Sequence, residues 1–193
     1  MPLASNPLHL THAQLEAGLE AIRQAPKEHG SLSLIVRRPR VGAREVLDAG
    51  HLDLAEGLVG DTWSRRGSNR TPDGTSHPDM QLNVMSSRVI ALIAGPQERW
   101  PLAGDQLYVD LDLSEENLPA GTYLEIGEAV VQITAQPHTG CGKFVERFGL
   151  DAMKFVNAPL GRSLRLRGLN AKVVTAGGIR AGDAVRKRPA TLF

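Results

Sequence analysis

The chain has 193 residues, 41% hydrophobic and 22% charged, with a formal net charge of +1, which fits one domain with a sizeable core and at most a short appendage. Aromatic residues make up 4%, too few for base-stacking platforms, and the only dense basic run is Arg186-Lys187-Arg188, so no nucleic-acid partner is expected. No run approaches the roughly 18 apolar residues of a membrane helix, and the first residues, Met1 to Pro7, lack the basic and apolar segments of a secretory signal; no membrane role is expected. In chain order, residues 11–25 predict a helix. Thr11 caps it, Gln14 completes a capping box, Leu15, Leu19 and Ile22 share one face, and Pro26 ends it. Residues 31–37 alternate as a strand, and 43–48 supply a partner. Gly57 to Asp61 form a turn. The polar stretch Thr62 to Met80 is too long for an ordinary connection, and reads either as a functional loop or as a solvated surface segment.

Residues 81–85 predict a strand. Ser86 or Ser87 caps a helix that stops at Gly95-Pro96. Leu107, Val109 and Leu111 alternate. Tyr123–Ile126 and 129–134 face each other across Gly127-Glu128 as a hairpin. Residues 143–157 predict a helix broken near Gly149, with Phe144, Phe148, Met153 and Phe155 packing inward. Strands are expected again at Ser163–Arg167, at 171–175 and around Gly182-Asp183-Ala184-Val185, where Asp183 is read as structural. The sum is mainly β with helical insertions (α+β): a small β-barrel with an N-terminal helix. The expected divisions are a helical flank at 1–29, the main domain at 30–187 and a tail at 188–193.

Cys141 is the only cysteine. It excludes an internal disulfide and suits a reducing cytoplasm. It lies in Gln136-Pro137-His138-Thr139-Gly140-Cys141-Gly142-Lys143-Phe144, between two glycines and near a histidine and a lysine. Such flanks expose a sulfur and favour its thiolate, whereas a buried structural cysteine would sit among aliphatic residues. Gly140 and Gly142 let the backbone approach a ligand closely.

These residues carry a resemblance. Gly60-Asp61, Gly104-Asp105 through Leu113-Ser114, Gly121, Ile126-Gly127, the Gln136-to-Lys143 stretch, Arg167 to Ala171, Gly178-Ile179 and Gly182-Asp183 occur in the order seen in the MOSC domain, named for the C-terminal domain of molybdenum cofactor sulfurase. The match spans roughly residues 30 to 187. The resemblance implies a β-barrel and a role tied to molybdenum cofactor (molybdopterin) or sulfur transfer. Full-length sulfurases also carry a pyridoxal-phosphate domain, for which this chain is too short, so desulfurase activity is not expected. Family members that reduce amine oxides or hydroxylamines often have arginine where this chain has His138.

Within that resemblance Cys141 has two roles to fill: a thiolate ligand of molybdenum, beside the dithiolene of the cofactor, or an acceptor of sulfane sulfur. Lys143 would stabilise the thiolate or bind a cofactor phosphate. His138 would donate a proton, or is simply a solvated loop side chain. Binding the phosphate of a pterin needs several guanidinium or ammonium groups in one cleft. Arg65, Arg66 and Arg70 of the polar loop are the leading candidates as a group, with Arg147, Arg162 and Arg167. Asp61 would fix the loop by accepting backbone N–H bonds.

The expected function is cofactor-dependent reduction of N-hydroxylated small molecules, or sulfur transfer; the alternative is a non-catalytic carrier of cofactor or sulfur for a partner enzyme. The chain has no iron–sulfur cysteine spacing and no Gly-x-Gly-x-x-Gly after a strand, so electrons or sulfur would come from an external donor protein.

Overall fold

A computed structural model describes residues 9–188; residues 1–8 and the tail from 189 onward lie outside the described residues. The described residues form eleven strands: β1 (His29–Arg37), β2 (Glu45–Leu47), β3 (Ala49–Asp53), β4 (Gly57–Leu58), β5 (Leu82–Ser86), β6 (Leu107–Asp110), β7 (Tyr123–Ile126), β8 (Ala129–Ile133), β9 (Leu169–Thr175), β10 (Gly177–Arg180) and β11 (Ala184–Lys187). The helices are α1 (His12–Ala17), α2 (Leu19–Arg23), α3 (Ser87–Ala94), α4 (Gly142–Asn157) and α5 (Pro159–Ser163), with short 3-10 turns between strands.

Seven strands close a barrel in the order β1-β11-β7-β8-β9-β5-β6, returning to β1; β2 adds to one part of β1. Only β5 and β6 run parallel, so the barrel is mixed. Closure removes the exposed edges that an open sheet of this size would carry. A separate three-stranded sheet, β10-β3-β4, lies outside it.

Strand β1 shows how the sequence builds two cores. Its Leu32 and Ile35 join the barrel interior with Leu107, Val109 and Leu124. Leu34 and Val36 point the other way, into a second cluster with Leu15, Ile90, Tyr108, Phe144 and Phe148. Both faces are covered, so the strand reads as an almost continuous apolar run. Each fully buried Leu or Ile stabilises by roughly 1.5–3 kcal/mol relative to its exposed state. The helices on this second face hold the start of α4 against the barrel.

The Thr11 capping box forms as the sequence predicts. The expected 11–25 helix is split at Gly18, where a Cβ would lie 2.5 Å from a Leu92 methyl; the glycine lets this bend pack closely on α3. Hairpin β7–β8 pairs in the expected register, Ile126 opposite Ala129. Helix α4 breaks at Gly149 (φ 89°, ψ 166°) as expected. Ser163–Arg167 is not a strand. Pro159 opens α5, and the chain then turns back with Leu166 N–H donating to the Gly161 carbonyl and Gly168 N–H to that of Arg165. The alternating Leu164 and Leu166 belong to that turn.

Candidate functional site

Beside the barrel, a cleft of about 310 Å³ is walled by the loop after β1, the turn after Asp61, the residues preceding β6 and the first turns of α4. Its floor is organised by two buried ion pairs. Arg38, at the end of β1, is 5% exposed. Its Nε donates to Asp61 Oδ2 at 2.9 Å and its Nη2 to Oδ1 at 2.8 Å, while Nη1 reaches Asn83 Oδ1 and the Gly104 carbonyl. Asp61 also accepts from the Arg38 and Trp63 backbone N–H groups, which pins the entry to the polar loop as the sequence implied. Burial alone would raise the Asp61 pKa, but the hydrogen bonds and charge of Arg38 hold it below the usual carboxylate range.

The second pair is Arg167–Asp105. Arg167 Nη1 lies 2.9 and 2.8 Å from the two carboxylate oxygens, and Nη2 donates to the Ala103 carbonyl. Its guanidinium stacks 5.1 Å from the Phe144 ring centroid, tying the first turn of α4 to this pair. Arg167 is therefore a paired, buried cation that lines the cleft. Burial pushes the Asp105 carboxyl above its ordinary pKa against the opposing charges of Arg167 and Arg38.

His138 sits over that pair with its side chain 14% exposed and Nδ1 3.5 Å from Asp105 Oδ1. Nδ1 has no hydrogen-bond partner. Burial, reinforced by Arg167 and Arg38, drives its pKa well below 6.5. This environment favours the neutral imidazole, with one N–H and one lone pair, over the charged ring expected from an ordinary histidine.

Cys141 is exposed and lines the cleft with Lys143, Arg147, Arg66, Arg40 and Arg44. It occupies the cap position of α4, its carbonyl accepting from the Phe144 and Val145 N–H groups. The segment before it is fixed by Asn157 at the far end of the same helix, which accepts from Gly140 N–H at 2.9 Å and donates to its carbonyl at 3.1 Å. Gly140 packs against Val156, Asn157 and Met153, where a Cβ would lie 3.2–3.4 Å from their side chains; around Gly142 nothing lies within 4 Å of that position. Gly142 leaves the backbone beside the sulfur open, while Gly140 serves packing.

Of the three polar-loop arginines, only Arg66 lines the cleft. Arg65 reaches back to the Pro39 carbonyl and Arg70 toward Met80 Sδ. Arg162 lines a separate cavity. Sequence reasoning missed Arg38, Arg40 and Arg44, which the β1–β2 connection brings to the cleft. The clustering of four arginines between residues 37 and 44 was a usable signal. Among the described residues, Arg40, Arg44, Arg66, Arg147 and Lys143 form no ion pair. Burial lowers the pKa of Arg44, helped by Arg147 and Arg38, and burial with Arg38 lowers that of Arg66. The cleft therefore carries a local excess of positive charge.

The sequence profile of the MOSC domain matches residues 78–186, more than half of the chain. The chain belongs to the MOSC domain family. Solved structures share its fold. The YuaD protein from Bacillus subtilis is 18% identical, over 81% of this chain and 94% of that one, with a TM-score of 0.58. YiiM from Escherichia coli is 20% identical over 83% and 71%, with a TM-score of 0.52. YiiM from Geobacillus stearothermophilus is 14% identical over 84% and 77%, with a TM-score of 0.57. No curated protein sequence matches the chain. Among the described residues of this MOSC protein, no helix is long and apolar enough to cross a membrane.

The cleft fits the cofactor associated with this family. Among the described residues no three His, Cys, Asp or Glu side chains gather as a metal nest, so Cys141 is a lone soft donor. That suits a metal arriving with sulfur ligands of its own. The unpaired cations supply what a pterin phosphate requires.

Proposed function

We propose that this MOSC protein binds molybdenum cofactor in the arginine-lined cleft, with Cys141 as the thiolate ligand, and reduces N-hydroxylated small molecules using electrons from an external donor protein. The observation that carries this reading is an exposed thiol on the wall of a cleft where five cations, Arg40, Arg44, Arg66, Arg147 and Lys143, lack carboxylate partners among the described residues. When bound, the cofactor supplies two-electron redox chemistry, so that an N–OH substrate, two electrons and two protons give an amine and water. The chain's own residues bind and orient. Arg40, Arg44, Arg66, Arg147 and Lys143 hold the phosphate. Arg38 and Arg167, each locked by a carboxylate, keep the floor rigid. His138, neutral at working pH, offers a hydrogen bond or relays a proton beside the thiol.

The test is metal analysis after expression in a molybdenum-replete host. Wild type is expected to retain molybdenum near stoichiometry and Cys141→Ala to lose it. Equal molybdenum in both would reject Cys141 as the ligand. Retained molybdenum without turnover of a hydroxylamine substrate by the reductase-coupled protein would reject catalysis and leave a carrier of cofactor or sulfur.

A further inference from the structure

A second cavity, of about 160 Å³, opens between the 134–139 segment and the turn after α5. It shares His138, Thr139 and Arg167 with the arginine-lined cleft but not Cys141. A water needs roughly 10–15 Å³ of such volume, so this is room for a small molecule. Three cations line it. Arg165 is half-buried, and the only hydrogen bond its side chain makes to the described residues runs from Nη1 to the Leu118 carbonyl. Arg162 uses Nε alone, on the Asn157 carbonyl. Each guanidinium has five N–H donors, so most are left over. The third cation is Arg167, side chain 9% exposed, whose buried Nε has no partner even though its Nη atoms are taken by Asp105 and Ala103.

Burying a cation without an anion is unfavourable, and burial does lower the Arg165 pKa, opposed by Glu115. Arg165 is also the one non-glycine residue at positive φ (48°) among the described residues, a conformation that costs on the order of 1–3 kcal/mol and recurs at ligand clamps. Glu115, exposed at the rim, lines the same cavity and forms no ion pair among the described residues. Two unpaired cations and one unpaired carboxylate around one small volume match a ligand that carries both charges.

We propose that this cavity binds a small carboxylate-bearing zwitterion of amino-acid type, its carboxylate held by Arg162 and Arg165 and its ammonium facing Glu115. The site stands whether or not the neighbouring cleft binds molybdenum cofactor, and its test uses the full chain as purified. Amide NMR spectra are followed during titration with L-alanine and, separately, with acetate. Both are expected to shift the Glu115, Gly161, Gly168 and Leu169 amides saturably, alanine binding about two- to five-fold tighter, the range of an exposed charge pair. Arg162→Gln with Arg165→Gln should abolish both responses, and Glu115→Gln should bring alanine down to the acetate level. The single Arg162→Gln variant, which leaves the Arg165 bond to Leu118 in place, should weaken both if the double variant fails to fold. Absence of saturable shifts at these amides, or shifts that survive in the arginine variants, would overturn the site. Acetate binding as tightly as alanine would overturn the zwitterion.

Discussion

His138 contributes to the pH behaviour of the site because its imidazole is buried beside Arg167, Arg38 and Asp105. Its folded pKa lies well below 6.5, while the unfolded chain takes up a proton near that value. Below pH 6.5 the unfolded state therefore binds more protons, and stability falls as pH drops, by at most about 1.4 kcal/mol per unit. Asp105 acts in the opposite sense: its raised pKa removes stability as pH rises through the window just above 3.8. Urea unfolding of the cofactor-free protein from pH 7 to 5 should show a slope in wild type that flattens in His138→Gln. Parallel curves would mean that the imidazole is solvated. A second residue-scale prediction concerns Arg38 and Asp61, whose side chains are 6% and 0% exposed. Arg38→Ala strands a buried carboxylate and should cost about 3–5 kcal/mol, whereas Arg38→Met with Asp61→Leu should recover only part of that loss, because the Arg38 and Trp63 N–H groups then lack their acceptor; the same urea midpoints decide it. Cys141 was legible in the sequence because glycines and a lysine flank it. Arg38 was not, since an arginine at a strand end reads as a surface charge until folding brings Asp61, 23 residues on, against it.

At the scale of elements, α4 works as a brace. Its first turn follows Cys141, and its last residue, Asn157, grips both backbone groups of Gly140. The residue before the thiol is thus tied to the far end of the helix that follows it. Asn157→Ala removes both hydrogen bonds to Gly140, and one to Met153 Sδ, at a half-buried position and should cost about 1–3 kcal/mol. It should also abolish hydrogen-exchange protection of the Gly140 amide and lower molybdenum retention with Cys141 intact. Unchanged exchange at Gly140 would show that the segment is held by packing alone. The helix and its break at Gly149 were readable from periodicity and from the glycine, as was the β7–β8 hairpin from its Gly127-Glu128 turn. The β10-β3-β4 sheet was not, because its strands are short and β10 lies more than a hundred positions beyond β3 and β4. Ser163–Arg167 alternates as a strand does, yet five residues of period two cannot outweigh the Pro159 helix start just before them.

Across the whole molecule, a net charge of +1 conceals a strong local excess. Among the described residues, five cations without carboxylate partners face one cleft, and their mutual repulsion is a cost that the folded state carries. Arg40 and Arg66 are the cleanest probes, since neither guanidinium donates a hydrogen bond to the described residues. Their replacement removes charge and little else. Arg40→Gln with Arg66→Gln should raise the melting temperature at low ionic strength; a gain of 1 kcal/mol corresponds to about 2–4 °C for a chain of this size. The gain should shrink in roughly 0.15 M salt, where exposed charges beyond about 8 Å are screened. Pyrophosphate, standing in for the cofactor's phosphate, should stabilise wild type in proportion to the logarithm of its concentration above Kd, and the double variant much less. Stability and anion affinity should thus move in opposite directions in one pair of variants. If the variant melts lower and responds equally to pyrophosphate, the cleft is not an electrostatic receptor, and these arginines act as solvated surface groups.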